Sequence, residues 1–179
     1  MRHRAAVIAF ALAAFEAHAQ IDTEKRFPEV HGSDLNGREV TLPADIPGPA
    51  SLVFVPFEMR QQDDVDSWHP FVQKMKEDFP SVGVLELPTI SRGYLIMRFI
   101  IDNGMRSGIR DESARAATIT LYLDVKAFTR DLGLETTKSI AVFVVRPSGQ
   151  ILARAIGRYS EAGASTIRAA LEALQGSVE

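Results

Sequence analysis

The sequence predicts an α/β protein, a three-layer α/β/α sandwich with a mixed central sheet, and three patterns support this fold class. Residues 51–57 and 140–145 are continuous apolar runs, which are typical of strands buried on both faces. Stretches with helical periodicity separate the predicted strands, and this alternation favours a parallel centre covered on both sides. Asn36-Gly37 and residues 147–149 mark tight turns near the two ends of the chain, which add antiparallel strands to the sheet.

The first predicted elements are an N-terminal β-hairpin extension, a strand and a helix. The hairpin covers residues 29–43, because Asn-Gly between apolar positions is a strong hairpin signal. The strand at residues 51–57 leads into a helix with one apolar stripe at spacings of three and four. The stripe consists of Val65, Trp68, Val72, Met75 and Phe79. Pro80 ends this helix, and residues 82–87 form a second buried strand.

The middle of the chain carries a more mixed pattern. Residues 94–101 are predicted to be helical, with four apolar side chains facing inward: Leu95, Ile96, Phe99 and Ile100. Residues 104–115 are predicted to form an irregular, charged connection. Apolar and polar side chains alternate over residues 117–123, which indicates a strand. Asp124 is placed to cap a short helix that Gly133 ends.

The C-terminal part completes the sheet and covers it. Residues 140–145 form the most apolar strand, and the turn at residues 147–149 returns the chain as a strand over residues 151–156. Ser160 then opens the last helix. Its apolar face consists of Ile167, Ala170, Leu171 and Leu174.

Composition limits the classes of function. The chain has 179 residues, 46% hydrophobic residues and a net charge of −3, as expected for one globular domain without a strongly charged surface. This balance gives no indication of nucleic acid or an anionic membrane as a partner. The chain contains no cysteine, which excludes disulfides, thiolate nucleophiles and cysteine-ligated metal centres.

The first nineteen residues predict a secretory signal peptide. Arg2 and Arg4 precede an apolar run over residues 5–15, and Ala17-His18-Ala19 has the small-x-small pattern of a cleavage site. The run is too short to span a bilayer, which takes about 20 residues. Residues 20–179 are therefore expected to form one exported domain, periplasmic or secreted, without stable membrane insertion after cleavage.

Two stretches of the sequence resemble the thioredoxin-like superfamily. Residues 51–75 are similar to the first strand–loop–helix unit of these proteins, and residues 132–171 are similar to their closing strand, hairpin and helix. Within the superfamily, the W-H-P-F motif at residues 68–71 and the G-R-Y-S-E motif at residues 157–161 resemble the mitochondrial ATP synthase assembly factor family. The resemblance implies a thioredoxin-like fold and a groove beside the first strand.

The redox motif of the superfamily is absent. A redox-active member carries C-x-x-C or a single peroxidatic cysteine in the loop after the first of these strands, whereas residues 58–64 here read E-M-R-Q-Q-D-D. The proline that precedes a later strand in the family is also missing, since residues 136–139 read T-T-K-S. The resemblance therefore implies the fold and a binding groove without thiol chemistry.

The sequence thus predicts a non-catalytic protein that binds another protein, as an assembly factor or chaperone, with no cofactor and no nucleic acid. The groove is expected to be lined by Glu58, Arg60, Gln61, Thr137 and Lys138. We predict no catalytic residues and no metal ligands.

The sequence leaves two alternatives open. Asp63, Asp64 and His69, with Asp66 nearby, offer oxygen and imidazole ligands for a metal- or acid-dependent hydrolase. The same carboxylates could instead complement the dipole at a helix N-terminus. A redox protein that works without thiols is the second alternative.

Basic side chains concentrate in the middle of the chain. They are Arg92, Arg98, Arg106, Arg110 and Arg115. Asp102, Asp111 and Glu112 lie among them, so the segment is interpreted as an ion-paired, solvated surface, with a patch for an anionic partner as the alternative.

Overall fold

The computed structural model describes residues 26–176, and the proposed signal peptide lies outside the described residues. The strands are β1 (Val30–Asp34), β2 (Glu39–Leu42), β3 (Ser51–Val55), β4 (Gly83–Glu86), β5 (Thr89–Ser91), β6 (Ile119–Leu123), β7 (Ala141–Val145) and β8 (Ile151–Ile156). The helices are α1 (Gln62–Asp66), α2 (His69–Asp78), α3 (Arg98–Gly108), α4 (Glu112–Ala117), α5 (Val125–Asp131) and α6 (Glu161–Gln175), with 3-10 segments at Met59–Gln61 and Arg92–Met97. Over residues 26–176 no helix has the length and apolar character needed to cross a bilayer.

The strands form a mixed sheet in two four-stranded parts. One part has the order β4-β3-β7-β8 and the other the order β2-β1-β6-β5. β3 and β4 are parallel, as are β5 and β6, whereas the other pairs are antiparallel. β4 and β5 are separated only by Leu87 and Pro88, and Glu86 also bridges to Thr118, so the two parts meet along this strand pair. The predicted mixed sheet is confirmed.

Side chains of the central strands alternate between two cores. Leu52 and Phe54 of β3 contact the core covered by α1, α2 and α6. Val53 and Val55 contact the core shared with α5 and the hairpin strand β2. All five residues of β3 are buried because a strand between two covering layers has no solvent face. The predicted three-layer α/β/α arrangement is confirmed.

The N-terminal hairpin forms where it was predicted, with a wider turn. The connection spans residues 35–38, and Gly37 adopts a positive φ of 91°. The buried Asp34 carboxylate accepts hydrogen bonds from the backbone N–H groups of Asn36 and Arg38, both at 2.9 Å. This side chain satisfies the turn amides and stabilises a connection longer than the predicted tight turn.

The predicted helix after β3 is broken into α1 and α2. Its apolar stripe is buried as expected, but Pro70 has no N–H to donate to the Asp66 carbonyl, so the helix cannot continue. The Ser67 hydroxyl donates to the Asp64 carbonyl at 2.6 Å and accepts from the backbone N–H of Tyr159 at 2.9 Å. The break therefore also ties the helix pair to the loop after β8.

Two predictions for the middle of the chain are wrong. Leu95, Ile96, Phe99 and Ile100 face solvent instead of the core. Residues 104–115 are largely helical, because α3 continues to Gly108 and α4 begins at Glu112. The Asp111 side chain accepts from the backbone N–H of Ala114 at 2.7 Å, which caps α4.

Candidate functional site

The sheet topology brings two loops together at one end of β3. β7 runs antiparallel to β3 with Val55 opposite Ala141, so the loop that leaves β3 lies beside the loop that enters β7. The first loop covers residues 56–61 and the second covers residues 133–140. We call the surface formed by these two loops the groove.

Gln61 joins the two loops through its side-chain amide. Its Oε1 accepts hydrogen bonds from the backbone N–H groups of Phe57 at 2.8 Å and Glu58 at 3.2 Å. Its Nε2 donates to the Thr137 carbonyl at 2.8 Å. The residue is only 3% exposed, so its amide is used within the protein and does not face a ligand. Gln61 therefore fixes the shape of the groove from beneath.

The other predicted groove residues are more accessible. The Arg60 Nε and the Glu58 carboxylate form an ion pair, and this hydrogen bond raises the pKa of Arg60. Lys138 is exposed, and its backbone N–H donates to the Thr136 hydroxyl at 3.1 Å. The groove thus presents a bonded charge pair on one loop and a lysine on the other.

Met59 is a groove residue that the sequence analysis missed. It lies between Glu58 and Arg60 at the start of the 3-10 segment and is 95% exposed. A flexible thioether at this position adapts to apolar partner surfaces of varied shape. Its position between two charged residues gave no amphipathic pattern that would have indicated this exposure.

The carboxylates considered as alternative metal ligands have other roles in the structure. Asp63 and Asp64 lie in the first turn of α1, where they complement the helix dipole. Asp64 pairs with Arg158 at 3.5 Å, and the Asp66 carboxylate lies 3.7 Å from the His69 Nε2. Within residues 26–176 no three histidine or acidic side chains converge as metal ligands would. This arrangement favours the helix-dipole role over the hydrolase alternative.

Glu86 is a second residue that the sequence analysis missed. It ends β4, is partly buried and lies beside α1. Burial raises the pKa of Glu86 to about 6, the Asp66 carboxylate adds to this effect, and a hydrogen bond from Gln62 opposes it. A single acidic residue in an apolar strand carries no sequence signal for burial, because that burial depends on where α1 crosses the end of β4.

Replacing Glu86 by glutamine is expected to stabilise the protein at pH 8. A pKa raised from 4.5 to about 6 corresponds to a cost of about 2 kcal/mol for the folded carboxylate above pH 6. Below pH 4.5 the carboxyl is protonated in both the folded and the unfolded state, so the cost is absent. The cost develops as pH rises from 4.5 through 6, so the protein loses this stability over that range. Urea unfolding at pH 4 and pH 8 measures the difference, with the exposed Glu172→Gln as the control. Equal stability of wild type and Glu86→Gln at pH 8 would contradict the expected cost.

An aromatic cluster lies behind the groove and supports α2. Trp68 is fully buried, and its indole N–H donates to the Gly157 carbonyl at 3.1 Å. The rings of Phe54, Phe71 and Tyr159 contact it edge-on at centroid distances of 6.2, 5.7 and 5.4 Å. The W-H-P-F and G-R-Y-S-E motifs therefore meet in space, since Trp68 belongs to the first and both Gly157 and Tyr159 belong to the second.

A separate cavity of about 640 Å³ lies at the other end of the central strands. Pro49, just before β3, and Arg146, just after β7, line it together with Leu171 of α6. None of the groove residues lines this cavity. Glu58, Met59, Arg60 and Lys138 are exposed, so the groove is a surface formed by loops.

The strand order, the covering helices and the paired loops define a thioredoxin-like fold, as the sequence predicted. Solved structures share it at low sequence identity. The yeast Sco protein with copper bound has a TM-score of 0.56 and 13% identity, with 83% of this chain and 93% of that chain covered. A member of the Sco family of cytochrome c oxidase assembly proteins has a TM-score of 0.54 and 12% identity, covering 83% and 94%.

A third similar structure is a redox protein. It is the thioredoxin domain of a thiol-disulfide oxidoreductase from Bacteroides vulgatus, with a TM-score of 0.50 and 19% identity, covering 82% of this chain and 96% of that chain. No family model matches the sequence, and no curated protein matches it. The similarity therefore establishes the fold.

Proposed function

We propose that this protein is an exported, non-catalytic thioredoxin-fold protein that binds another protein through the groove and acts as an assembly factor or chaperone. The observation that supports the proposal most directly is the set of hydrogen bonds made by the Gln61 side-chain amide. The amide lies in the loop where a redox-active relative would hold its thiol, and it bonds to both groove loops. The groove is therefore built as a fixed surface in a chain that contains no cysteine.

The exposed side chains of the groove suit a protein partner. Met59 offers an apolar contact, and Glu58, Arg60 and Lys138 offer charges of both signs around it. An apolar anchor within a polar rim is the usual composition of a protein interface. Because Gln61 already holds the loops, binding orders little additional backbone, which lowers its entropic cost.

The proposed partner class rests on the resemblance of residues 68–71 and 157–161 to the ATP synthase assembly factor family. We propose a subunit of the ATP synthase as the partner. This protein would meet that subunit after export and removal of residues 1–19. One supporting comparison is that a solved structure of this fold belongs to a family of cytochrome c oxidase assembly proteins. The fold is thus used by at least one family of assembly proteins.

Substitution of the groove charges tests the proposal. The triple variant Glu58→Ala, Arg60→Ala and Lys138→Ala leaves Gln61 and its hydrogen bonds in place. It is expected to reduce capture of ATP synthase subunits from native envelopes at least tenfold, as quantified by mass spectrometry. Cells that lack the protein are expected to contain less assembled ATP synthase, and the triple variant is expected not to restore it.

A matched control variant distinguishes an effect of the groove charges from a general effect of removing surface charges. Lys76 and Glu172 are exposed charges on α2 and α6, away from the groove, and their double alanine variant should retain capture. Undiminished capture by the triple variant would refute the groove assignment. Capture of other proteins with no ATP synthase subunit would keep a binding role and refute the proposed partner.

A further inference from the structure

A second exposed surface lies beside the β2-β1-β6-β5 part of the sheet. It is formed by the 3-10 segment Arg92–Met97 and the start of α3. It consists of six large apolar side chains that face solvent: Tyr94, Leu95, Ile96, Met97, Phe99 and Ile100. Ile96 is 94% exposed and Phe99 is 78% exposed. We call this set the apolar patch. Contiguous apolar side chains of this size on a surface mark an interaction site.

The patch belongs to a segment that is anchored to the fold by its other side. Arg98 faces inward, where its guanidinium donates to the Ser33 hydroxyl, contacts Glu39 at 3.4 Å and pairs with Asp102 at 3.4 Å. The Tyr122 hydroxyl donates to the Asp102 carboxylate at 2.9 Å. The apolar side chains are therefore held outward by polar contacts of the same segment with β1, β2 and β6.

The segment that carries the patch has a positive net charge. Residues 92–115 contain five arginines and three acidic residues, a net charge of +2, whereas the whole chain carries −3. Arg92, Arg106 and Arg110 are exposed, and none of them forms a salt bridge within the part of the chain that the structure describes. Arg92 precedes the patch along the chain, and Arg106 and Arg110 follow it on α3 and just beyond.

We propose that the apolar patch adsorbs to the surface of an anionic lipid bilayer. An interfacial helix places apolar and aromatic side chains at the boundary of the acyl chains, while arginines contact the lipid phosphates. The patch and its three flanking arginines supply both parts. The whole-chain balance gave no indication of an anionic membrane, because acidic residues outnumber basic ones over the whole chain, whereas this segment has a positive net charge.

This adsorption is peripheral and independent of the groove. The patch lies on the 3-10 segment and α3, whereas the groove is formed by residues 56–61 and 133–140, so the two surfaces use separate parts of the fold. A protein held at the bilayer by one surface would keep the other available to a partner at that bilayer.

Vesicle co-sedimentation tests the proposal with the protein purified in the form that accumulates in cells. Wild type is expected to bind vesicles of phosphatidylcholine with about 30% phosphatidylglycerol, and to bind pure phosphatidylcholine vesicles far more weakly. The double variant Ile96→Asp and Phe99→Asp is expected to bind the anionic vesicles at least tenfold more weakly. Arg106→Glu with Arg110→Glu should lose the preference for anionic vesicles.

The matched control is Ile156→Asp, which changes an apolar residue of β8 that is 52% exposed and lies outside the patch. It should bind vesicles as wild type does, and thermal melts should show that all variants fold. Equal binding by the Ile96/Phe99 variant, or no vesicle binding by wild type, would overturn the proposal. Self-association in lipid-free solution that this variant abolishes, without vesicle binding, would assign the patch to a second copy and also overturn it.

Discussion

Replacing Trp68 by alanine is expected to lower the free energy of unfolding by about 3–5 kcal/mol, the usual range for removal of a fully buried aromatic side chain. Trp68 has no exposed surface and contacts three other aromatic rings. The substitution leaves a cavity between α2 and β3 and also removes the donor to the Gly157 carbonyl. A loss of this size approaches the whole stability of many domains.

Urea unfolding followed by circular dichroism measures this effect. Trp68→Phe is the matched control, because it keeps much of the apolar contact and loses the indole N–H. It should therefore cost less than alanine. Gly163 of α6 lies against the same ring, because a Cβ added at residue 163 would be 3.3 Å from the Trp68 Cη2. A cost below about 1 kcal/mol for Trp68→Ala would contradict the central position of this ring in the core.

Replacing Gln61 by alanine is expected to cost about 2–3 kcal/mol, since buried hydrogen-bonding groups left without partners each carry a penalty of roughly 1–3 kcal/mol. The backbone N–H groups of Phe57 and Glu58 lose their acceptor, and the Thr137 carbonyl loses its donor. Part of this cost is relieved where water enters the open groove. The loss also separates the two loops, so it acts on the groove as well as on stability.

Hydrogen exchange and unfolding together measure this prediction. The amides of Phe57 and Glu58 should exchange faster in Gln61→Ala, while amides in β7 should keep their protection at low denaturant. Gln73→Ala, at an exposed position of α2, is the matched control and should change neither quantity. Unchanged protection at residues 57 and 58 would show that the Gln61 amide does not hold the loop.

The sequence was sufficient for most of the fold because its strongest patterns are local. The apolar runs that became β3 and β7, the stripe through Trp68 and the Asp124 cap of α5 each depend on few neighbouring residues. The Asp124 carboxylate accepts from the backbone N–H of Ala127 at 3.1 Å, as a cap should. Such elements form wherever their pattern occurs and tertiary contacts do not oppose it.

In the middle of the chain, tertiary contacts decide which side of a helix is buried. The apolar side chains within residues 94–101 follow helical spacing. This spacing alone does not determine which face of the helix packs against the core. Here the contacts of Arg98, Asp102 and Tyr122 anchor the polar side instead. Which face packs inward depends on contacts with three strands that are distant in sequence, β1, β2 and β6. The sequence pattern alone therefore predicted the wrong face.

The candidate site was predicted in part for a related reason. Gln61 and Thr137 were placed together by the resemblance, and their loops do meet. The direction of the Gln61 amide, the exposure of Met59 and the burial of Glu86 depend on how α1 and its preceding turn lie across the ends of β3 and β4. No pattern in the chain encodes that arrangement locally.

Site-specific photo-cross-linking in the native envelope tests the central claim most directly. A photoreactive residue at Lys138 in the groove, compared with one at Gln73 on α2, reports which surface contacts a partner. We predict a discrete adduct with an ATP synthase subunit from position 138 and none from position 73. Equal adducts at both positions, or no adduct at position 138, would contradict the use of this thioredoxin fold as a binding protein through its groove.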